Sequence, residues 1–517
     1  MRLLVITFIL ATFAIGFTQT WVARFNGVAN GDDFAIDIAA DNEGCVYVVG
    51  TSWSGASGND IVIIKYSPEG ETLWTRRYDG FAHGNDEARA IAVRNGRVAV
   101  TGGSADTSLF ADIITLVYST DGNLLWSKRF DSPSHGNDLG LVVAIDDGGN
   151  VYVAGYKSGD TTGWDIAVLK YDLYGQLLWE TGYQTADEDY AVDLALGMNN
   201  DLFVAGNSGN PYYLTWDYVT MRVDAASGET LWTKRYNGPA DEDDEAAGLV
   251  VDQQGNVYVT GGSVASASGA DFTTLKYTGN GEQEWERRYN GPANGLDRAR
   301  AIAIDSEGNI YVTGYSQGET SDFDYATVKY DPSGNQEWVR RYDGEASGYD
   351  EARAIATDRF GSVYVTGFST GTGTRNDYAT VGYNASGNQV WVGRYDGPAG
   401  RMDEASAIAI DSADGVFVTG SSEGQGTGYD LATIRYQAIG IEEPGHLANI
   451  ETNMPVTLVR NCLYFSGKNG KLLNCSGQQV MDVNCGVNDV RGLPAGVYFL
   501  TDGGKANYQR VRLVVVK

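Results

Sequence analysis

Histidine is nearly missing from this chain, with 3 among 517 residues, and cysteine (4) and proline (10) are almost as scarce. So few imidazoles, His83, His135 and His446, leave little material for general-base or zinc chemistry, and no HExxH, Walker loop, nucleophile elbow or dinucleotide fingerprint occurs. Cys45, Cys462, Cys475 and Cys485 form no CxxC pair, which removes a zinc ribbon from consideration. Cys475 and Cys485 flank a hairpin-like stretch and are a candidate disulfide. Basic charge is also short: 37 Lys and Arg face 67 Asp and Glu, a net charge of −30. Such a surface argues against nucleic acid, which needs a basic face, and is compatible with cations, basic partners or solubility alone. Helical periodicity is absent, and only one apolar run stands out, Leu3 to Phe17. It follows Arg2 and is too short to span a bilayer, for which about 20 residues are needed. Residues 1–20 therefore read as a secretory signal peptide, with no transmembrane segment in the mature protein and an extracellular or cell-surface location.

What the chain has in quantity is glycine (67), tyrosine (32) and tryptophan (11), a composition for short strands and tight turns. Eight tryptophans carry a repeat: Trp21, Trp74, Trp126, Trp179, Trp232, Trp285, Trp338 and Trp391, separated by 53, 52, 53, 53, 53, 53 and 53 residues. One unit, from Trp285 on, parses as strand "EWERRY", glycine-rich loop "NGPANGLDRA", strand "RAIAID", turn "SEGN", strand "IYVTGY", polar loop "SQGETSDFD", strand "YATVKYD" and turn "PSGN". Four strands per unit predict a β-propeller, against a β-solenoid whose rungs are shorter. The first unit opens on its tryptophan strand, whereas the last ends at Gln437 without one. The phase predicts an all-β, eight-bladed propeller over 21–437, closed by Trp21–Phe25 beside Leu431–Tyr436.

The units "GNVYVTGGS…DFTTLKYTGNGEQEW" and "GNIYVTGYS…DYATVKYDPSGNQEW" resemble the bacterial β-propeller repeat called SBBP, over Trp21 to Gln437. That family is usually described as seven-bladed, while the tryptophan count here implies eight. The resemblance implies an extracellular propeller and no particular reaction. After a linker at 438–449, residues 450–517 change sign, to a net +4 against −34 for the rest. Their strand-like runs suggest a small β-sandwich. "DVRGLPAGVYFL", followed by the terminal "RVRLVVVK", resembles the C-terminal sorting domain of type IX secretion substrates, which implies the secretion machinery as a partner.

Two aspartates recur in every unit. Asp33, Asp86, Asp138, Asp189, Asp244, Asp297, Asp350 and Asp403 precede the inner strand. Asp60, Asp112, Asp165, Asp217, Asp271, Asp324, Asp377 and Asp430 begin the "YATVKY" strand on the same face of the disc. Hard cations such as calcium favour such oxygens, and the first series is the candidate metal ring at the channel mouth. The competing and favoured reading makes each carboxylate an acceptor of turn N–H groups, partnered by the arginine three residues after each tryptophan. Only Gly182 breaks that arginine series. The fourth unit departs most from the repeat, and its "NSGNPYYLTWDY" nominates Tyr212, Tyr213 and Trp216, with Trp164 one blade earlier, as candidate ligand-binding rings. Packing of those rings against neighbouring loops is the favoured alternative. Three functions remain: a non-catalytic scaffold binding polysaccharide or an extracellular protein, a polysaccharide-active enzyme using axial carboxylates, and a structural surface protein.

Overall fold

The structure, a computed structural model, describes residues 16–439 except 56–57, 109, 160–162, 198–200, 211–214 and 266–267, and beyond them the backbone of strands between 456 and 515. Among the described residues all regular structure is β-strand, and no helix is long and apolar enough to cross a membrane. The chain divides into two units, Met1–Gly440 and Ile441–Lys517.

In the first unit each 53-residue repeat becomes a meander. Blade 1 runs Asp33–Ala40, Val46–Trp53, Asn59–Tyr66 and Thr72–Tyr78 as one antiparallel four-stranded sheet. Blades 2 to 7 follow, their first strands opening at Asp86, Leu139, Glu188, Asp244, Asp297 and Asp350. Blade 8 takes Asp403–Ile410, Val416–Glu423 and Tyr429–Ile439 from the end of the unit and Gly16–Phe25 from its beginning. The closing register sets Trp21 against Arg435 and Phe25 against Leu431, as the repeat phase predicts. Pairing also reaches back to Gly16, opposite Ile439, into the stretch expected to leave with the signal peptide.

The first strands touch one another in a closed cycle, blade 1 to blade 8 and back to blade 1, so they line the axis. The second and third strands of blade 1 are almost wholly buried, because both faces of a blade meet a neighbour. Tyr47, Val49, Ile61 and Ile63 of blade 1 share one core with Ile91, Val98, Val100 and Leu116 of blade 2. Val46, Val48, Val62 and Ile64 pack the other way, on Phe417 and Leu431 of blade 8. Each fully buried aliphatic side chain contributes about 1.5–3 kcal/mol. An isolated blade could bury neither face.

From Trp21 to Trp338, seven of the repeated tryptophans fasten their outer strand to the next blade. Trp74 Nε1 donates to the carbonyl of Thr120 (3.0 Å), Trp126 to Leu173 (3.2 Å) and Trp232 to Gly279 (2.9 Å). At the turns "DSEGN" and "DPSGN" the aspartate accepts N–H bonds: Asp305 from Glu307 and Asn309, and Asp331 from Asn335. Gly308 and Gly334 stand there at φ +83° and +82°, which only glycine adopts without strain. These are hairpin turns, as expected.

In the second unit, Val456–Val459, Cys462–Phe465 and Gly486–Asp489 form a three-stranded sheet. Gly470–Asn474, Gln479–Val483, Gly496–Asp502 and Val511–Val515 form a four-stranded one. Cys475 and Cys485 lie outside the described residues, as do the linker 440–449 and residues 1–15. Cys45 is a buried free thiol.

Candidate functional site

The two aspartate series belong to one hydrogen-bonded row that crosses each blade. In blade 2 the register sets Asp86 against Ser104, and Ser104 against Asp112. The same Asp–Ser–Asp row recurs as Asp297–Ser316–Asp324 and Asp403–Ser422–Asp430. In blade 3, Lys157 takes the serine's place opposite Asp165. The outer-strand arginine completes the row: Arg77 pairs with Asp60 (2.5 Å), Arg341 with Asp324 (2.6 Å) and Arg394 with Asp377 (2.9 Å). Arg394 also reaches Tyr342 of the previous blade (3.2 Å).

The first aspartate series is not an open ring at a channel mouth. Asp33, Asp138, Asp189, Asp244, Asp297, Asp350 and Asp403 are 0 % exposed and Asp86 is 1 % exposed. Each accepts a backbone N–H from the loop before it: Gly27 to Asp33 (2.5 Å), Gly80 to Asp86 (2.6 Å), Ser132 to Asp138 (2.6 Å), Thr185 to Asp189 (2.6 Å). Gly238, Gly291, Gly344 and Gly397 serve Asp244, Asp297, Asp350 and Asp403 in the same way. Burial raises all their pKa values against the lowering effect of these donors, and takes Asp403 to about 6.

A third carboxylate joins the two series at some blade junctions. Asp79 lies with Asp60 and Asp86, Asp131 with Asp112 and Asp138, Asp343 with Asp324 and Asp350, and Asp396 with Asp377 and Asp403, one oxygen of each within 4.8 Å of the others. In every triad the third member is exposed and the other two are buried. At three other junctions that position is Asn26, Asn237 or Asn290, and at one it is Gln184. The column varies from unit to unit, so it does not stand out from the repeat as the constant aspartates do. His83 and His135 lie four residues beyond it: each sits at positive φ (50° and 53°) with its ring on Asp79 or Asp131 at 2.8 Å. Both are exposed loop residues, and the hydrogen bond each ring donates to its aspartate raises its pKa.

The aromatic candidates separate. Trp216 is buried, 8 % exposed, its edge against Tyr190 with centroids 5.2 Å apart, so it is not a displayed ring. Trp164 is half-buried and stacks on Tyr156 at 4.5 Å. Phe323 and Tyr429 pack likewise on Tyr315 and Phe34. The residue before each of these aspartates therefore supports an inner ring. Tyr212 and Tyr213 lie outside the described residues. Trp53 is 40 % exposed.

The eightfold pattern breaks near the axis. A cavity of about 260 Å³ opens over the inner strands of blades 4 to 6, lined by Tyr190, Asn207, Glu245, Arg298 and Arg300. Arg298 pairs with Glu245 (2.8 Å) and Arg300 with Glu351 (2.9 Å), and Asn207 bridges the N–H and carbonyl of Ala246 (2.7 and 3.2 Å). Deeper along the axis stand Asp37 and Asp193, in a column that otherwise holds only alanine, glycine or valine. Asp37 accepts the N–H of Ile91 and Asp193 that of Leu249, each from the next blade (2.9 and 2.8 Å). Burial pushes each carboxyl up to about 6, and Asp37 raises Asp193 further across the axis from blade 1 to blade 4. Neither acid is singled out by sequence reading, although a carboxylate in a column of small residues is the signal that finds them.

The SBBP beta-propeller repeat family matches residues 285–323 and 337–373. An uncharacterized WD repeat-containing protein of Acanthamoeba polyphaga mimivirus is 22 % identical over 490 residues, covering 75 % of this chain and 33 % of that protein. The regulatory protein FlaEY of Caulobacter vibrioides is 28 % identical over 166 residues, or 27 % of this chain and 17 % of its own length. The chain thus spans a third or less of these curated relatives. Among solved structures, a europium-containing methanol dehydrogenase superposes with a TM-score of 0.51 at 9 % identity, over 81 % of this chain and 93 % of that one, a likeness of fold alone. With eight closed blades and SBBP matches across blades 5 to 7, the chain is a β-propeller repeat protein.

Proposed function

We propose that this protein is an exported, cell-surface propeller that binds a neutral polysaccharide segment without chemistry, in the polar cavity of blades 4 to 6. The observation that carries the reading is the cavity itself, where the Tyr190 ring, the Asn207 amide and the Arg298–Glu245 pair meet an Arg300–Glu351 pair that recurs one blade on as Arg353–Glu404. Tyr190 supplies a ring for a sugar face, and the Arg298–Glu245 and Arg300–Glu351 pairs supply donors and acceptors for hydroxyls. Because both guanidiniums are already paired and the chain carries −30 overall, a neutral sugar suits the site better than an acidic one. Export rests on the apolar run at the N-terminus, and surface delivery on a C-terminal sorting domain folded as a β-sandwich from the second unit's two sheets.

A glycan-array screen of the secreted protein, followed by titration calorimetry, tests the reading. Arg298→Ala and Tyr190→Ala should each weaken the best neutral glycan about tenfold or more. Equal binding by both variants, or no glycan bound, overturns it. A second reading, a polysaccharide-active enzyme, is favoured by Asp37 and Asp193, since an acid held near 6 suits proton donation to a leaving oxygen. Release of reducing ends that is lost in Asp193→Asn would establish that reading instead.

A further inference from the structure

We propose that four of the eight blade junctions are calcium sites, each formed by the two repeated aspartates of adjacent blades and the third, exposed aspartate between them. In each of the four, three carboxylate oxygens lie within 4.8 Å of one another. Calcium holds oxygens at about 2.3–2.6 Å, so ligands on one ion stand up to about 5 Å apart. Three such oxygens therefore fit around a single ion and leave room for water.

A second observation points to a ligand. Asp60 gives its Oδ2 to Arg77, yet its Oδ1 is buried and accepts no hydrogen bond. Asp324 and Asp377 repeat this, with Oδ2 on Arg341 and Arg394 and a buried, unpartnered Oδ1. Asp112 at the remaining junction does not, and Asp430 beside Asn26 does, so the free oxygen supplies a ligand at three of the four sites and the third aspartate distinguishes them. The side chains of Asp60, Asp324 and Asp377 are 3 %, 6 % and 8 % exposed. A buried carboxylate oxygen without a donor is rare in folded proteins, and a bound ion is one of the few things that satisfies it. One guanidinium among three carboxylates leaves each junction strongly negative. The exposed third member, 33 % for the Asp79 side chain, gives an ion its way in from solvent. The loop is already shaped for the purpose, since Gly80 fixes Asp86 and His83 fixes Asp79.

The protein carries its own control. Asn26, Asn237 and Asn290 hold the third position at other junctions, with loops tied by the same i to i+4 bond: Asn26 to Asn30 (2.8 Å), Asn237 to Asp241 (2.5 Å), Asn290 to Asn294 (2.7 Å). The fold thus accepts either residue, and the carboxylate is a choice made at four junctions. Those junctions lie between blades 1 and 2, 2 and 3, 6 and 7, and 7 and 8, on either side of the closure made by the N-terminal strand. Calcium there would staple the blades beside the seam.

The experiment is calorimetric titration of the full chain with CaCl2 after chelation, with thermal melts in CaCl2 and in MgCl2 at matched ionic strength. The expected result is a stoichiometry near four, affinities in the range of extracellular calcium modules (about 0.1–1 mM), and a melting temperature raised more by calcium than by magnesium. The combined variant Asp79→Asn, Asp131→Asn, Asp343→Asn and Asp396→Asn should melt normally in chelator and lose the calcium response at least tenfold. Asn290→Asp should raise the stoichiometry by one. No heat and no melting shift in the wild-type protein up to about 10 mM calcium overturns the proposal. So does an undiminished response in the combined variant, which would assign calcium to the acidic surface at large.

Discussion

Arg24 and Asp430 are 406 residues apart in sequence and 2.7 Å apart in space. Arg24 also reaches the carbonyl of Ser422 (3.1 Å) and the hydroxyl of Tyr395 in blade 7 (2.8 Å). Every other pair of this kind joins residues of one continuous blade, whereas this one joins the two ends of the propeller. Arg24→Ala removes one partner of a largely buried pair, at a cost of about 3 kcal/mol. Arg235→Ala breaks the corresponding pair with Asp217 inside blade 4, at a smaller cost because Arg235 is 40 % exposed. Only Arg24→Ala should free the N-terminal strand, read as faster proteolytic cleavage near residue 25 under native conditions. Equal cleavage of the two variants would show that β-pairing alone holds the seam.

The tryptophan staple separates burial from hydrogen bonding. Trp338 is 7 % exposed, and its indole N–H meets the carbonyl of Ala385 at 3.3 Å. Trp338→Phe keeps most of the apolar contact and leaves that carbonyl short of its donor, for an expected loss of about 1–2 kcal/mol. Trp338→Ala adds a cavity between blades and should cost about 3–5 kcal/mol. Urea denaturation of both variants, followed by fluorescence of the remaining tryptophans, measures the difference. Equal losses would show that the ring, not its N–H, accounts for the repeat.

Legibility in the sequence followed symmetry. Trp21 to Trp391 recur so regularly that blade number, strand order and the seam at Trp21–Phe25 could be read without coordinates. The constant aspartates were also readable as turn acceptors, because a residue present in all units serves what all units share. Asp37 and Asp193 were not, because their meaning depends on facing an axis that exists only once the ring has closed. The polar neighbours of Trp216 leave display and packing both open, with packing favoured, and its indole turns inward onto Tyr190. Arg298 and Glu245 are 53 residues apart, and nothing local says that they meet over a cavity.

Two glycines test how tightly the junction loop is built. A Cβ on Gly80 would stand 2.5 Å from Ser104 Oγ and 2.7 Å from Asp86 Oδ1, both in the buried row. Gly80→Ala must displace that row and should cost about 2–3 kcal/mol. Gly255 has nothing within 4 Å of its added Cβ but stands at φ +82°. Gly255→Ala should cost only the backbone term, about 1 kcal/mol. Chemical denaturation that ranks the two in the opposite order would mean that the junction loop yields more readily than the turn.

The axial acids give the fold a pH dependence of unusual sign. Asp37 and Asp193 are held at about 6 against an ordinary 3.8, because burial penalises their charged forms more than the N–H bonds of Ile91 and Leu249 favour them. Between those two values the folded state binds more protons than the unfolded chain, so stability falls as pH rises. Their contribution is complete below about pH 4 and is lost as pH passes 6, the reverse of a salt-bridged carboxylate. Asp37→Asn and Asp193→Asn remove the charge and keep an oxygen for the N–H of the next blade, while the second N–H at each site, from Ile38 or Leu194, loses its acceptor. Relative to the wild type, each should gain on the order of 1–2 kcal/mol between pH 4 and pH 7 once screening in the channel is allowed for, from a deficit at pH 4 set by the lost N–H acceptor. Urea midpoints measured from pH 4 to pH 8 decide the matter. A variant whose stability relative to the wild type fails to rise between pH 4 and pH 7 would show that the carboxylate is needed charged where it stands, held there by a cation or by the ligand of the axial cavity.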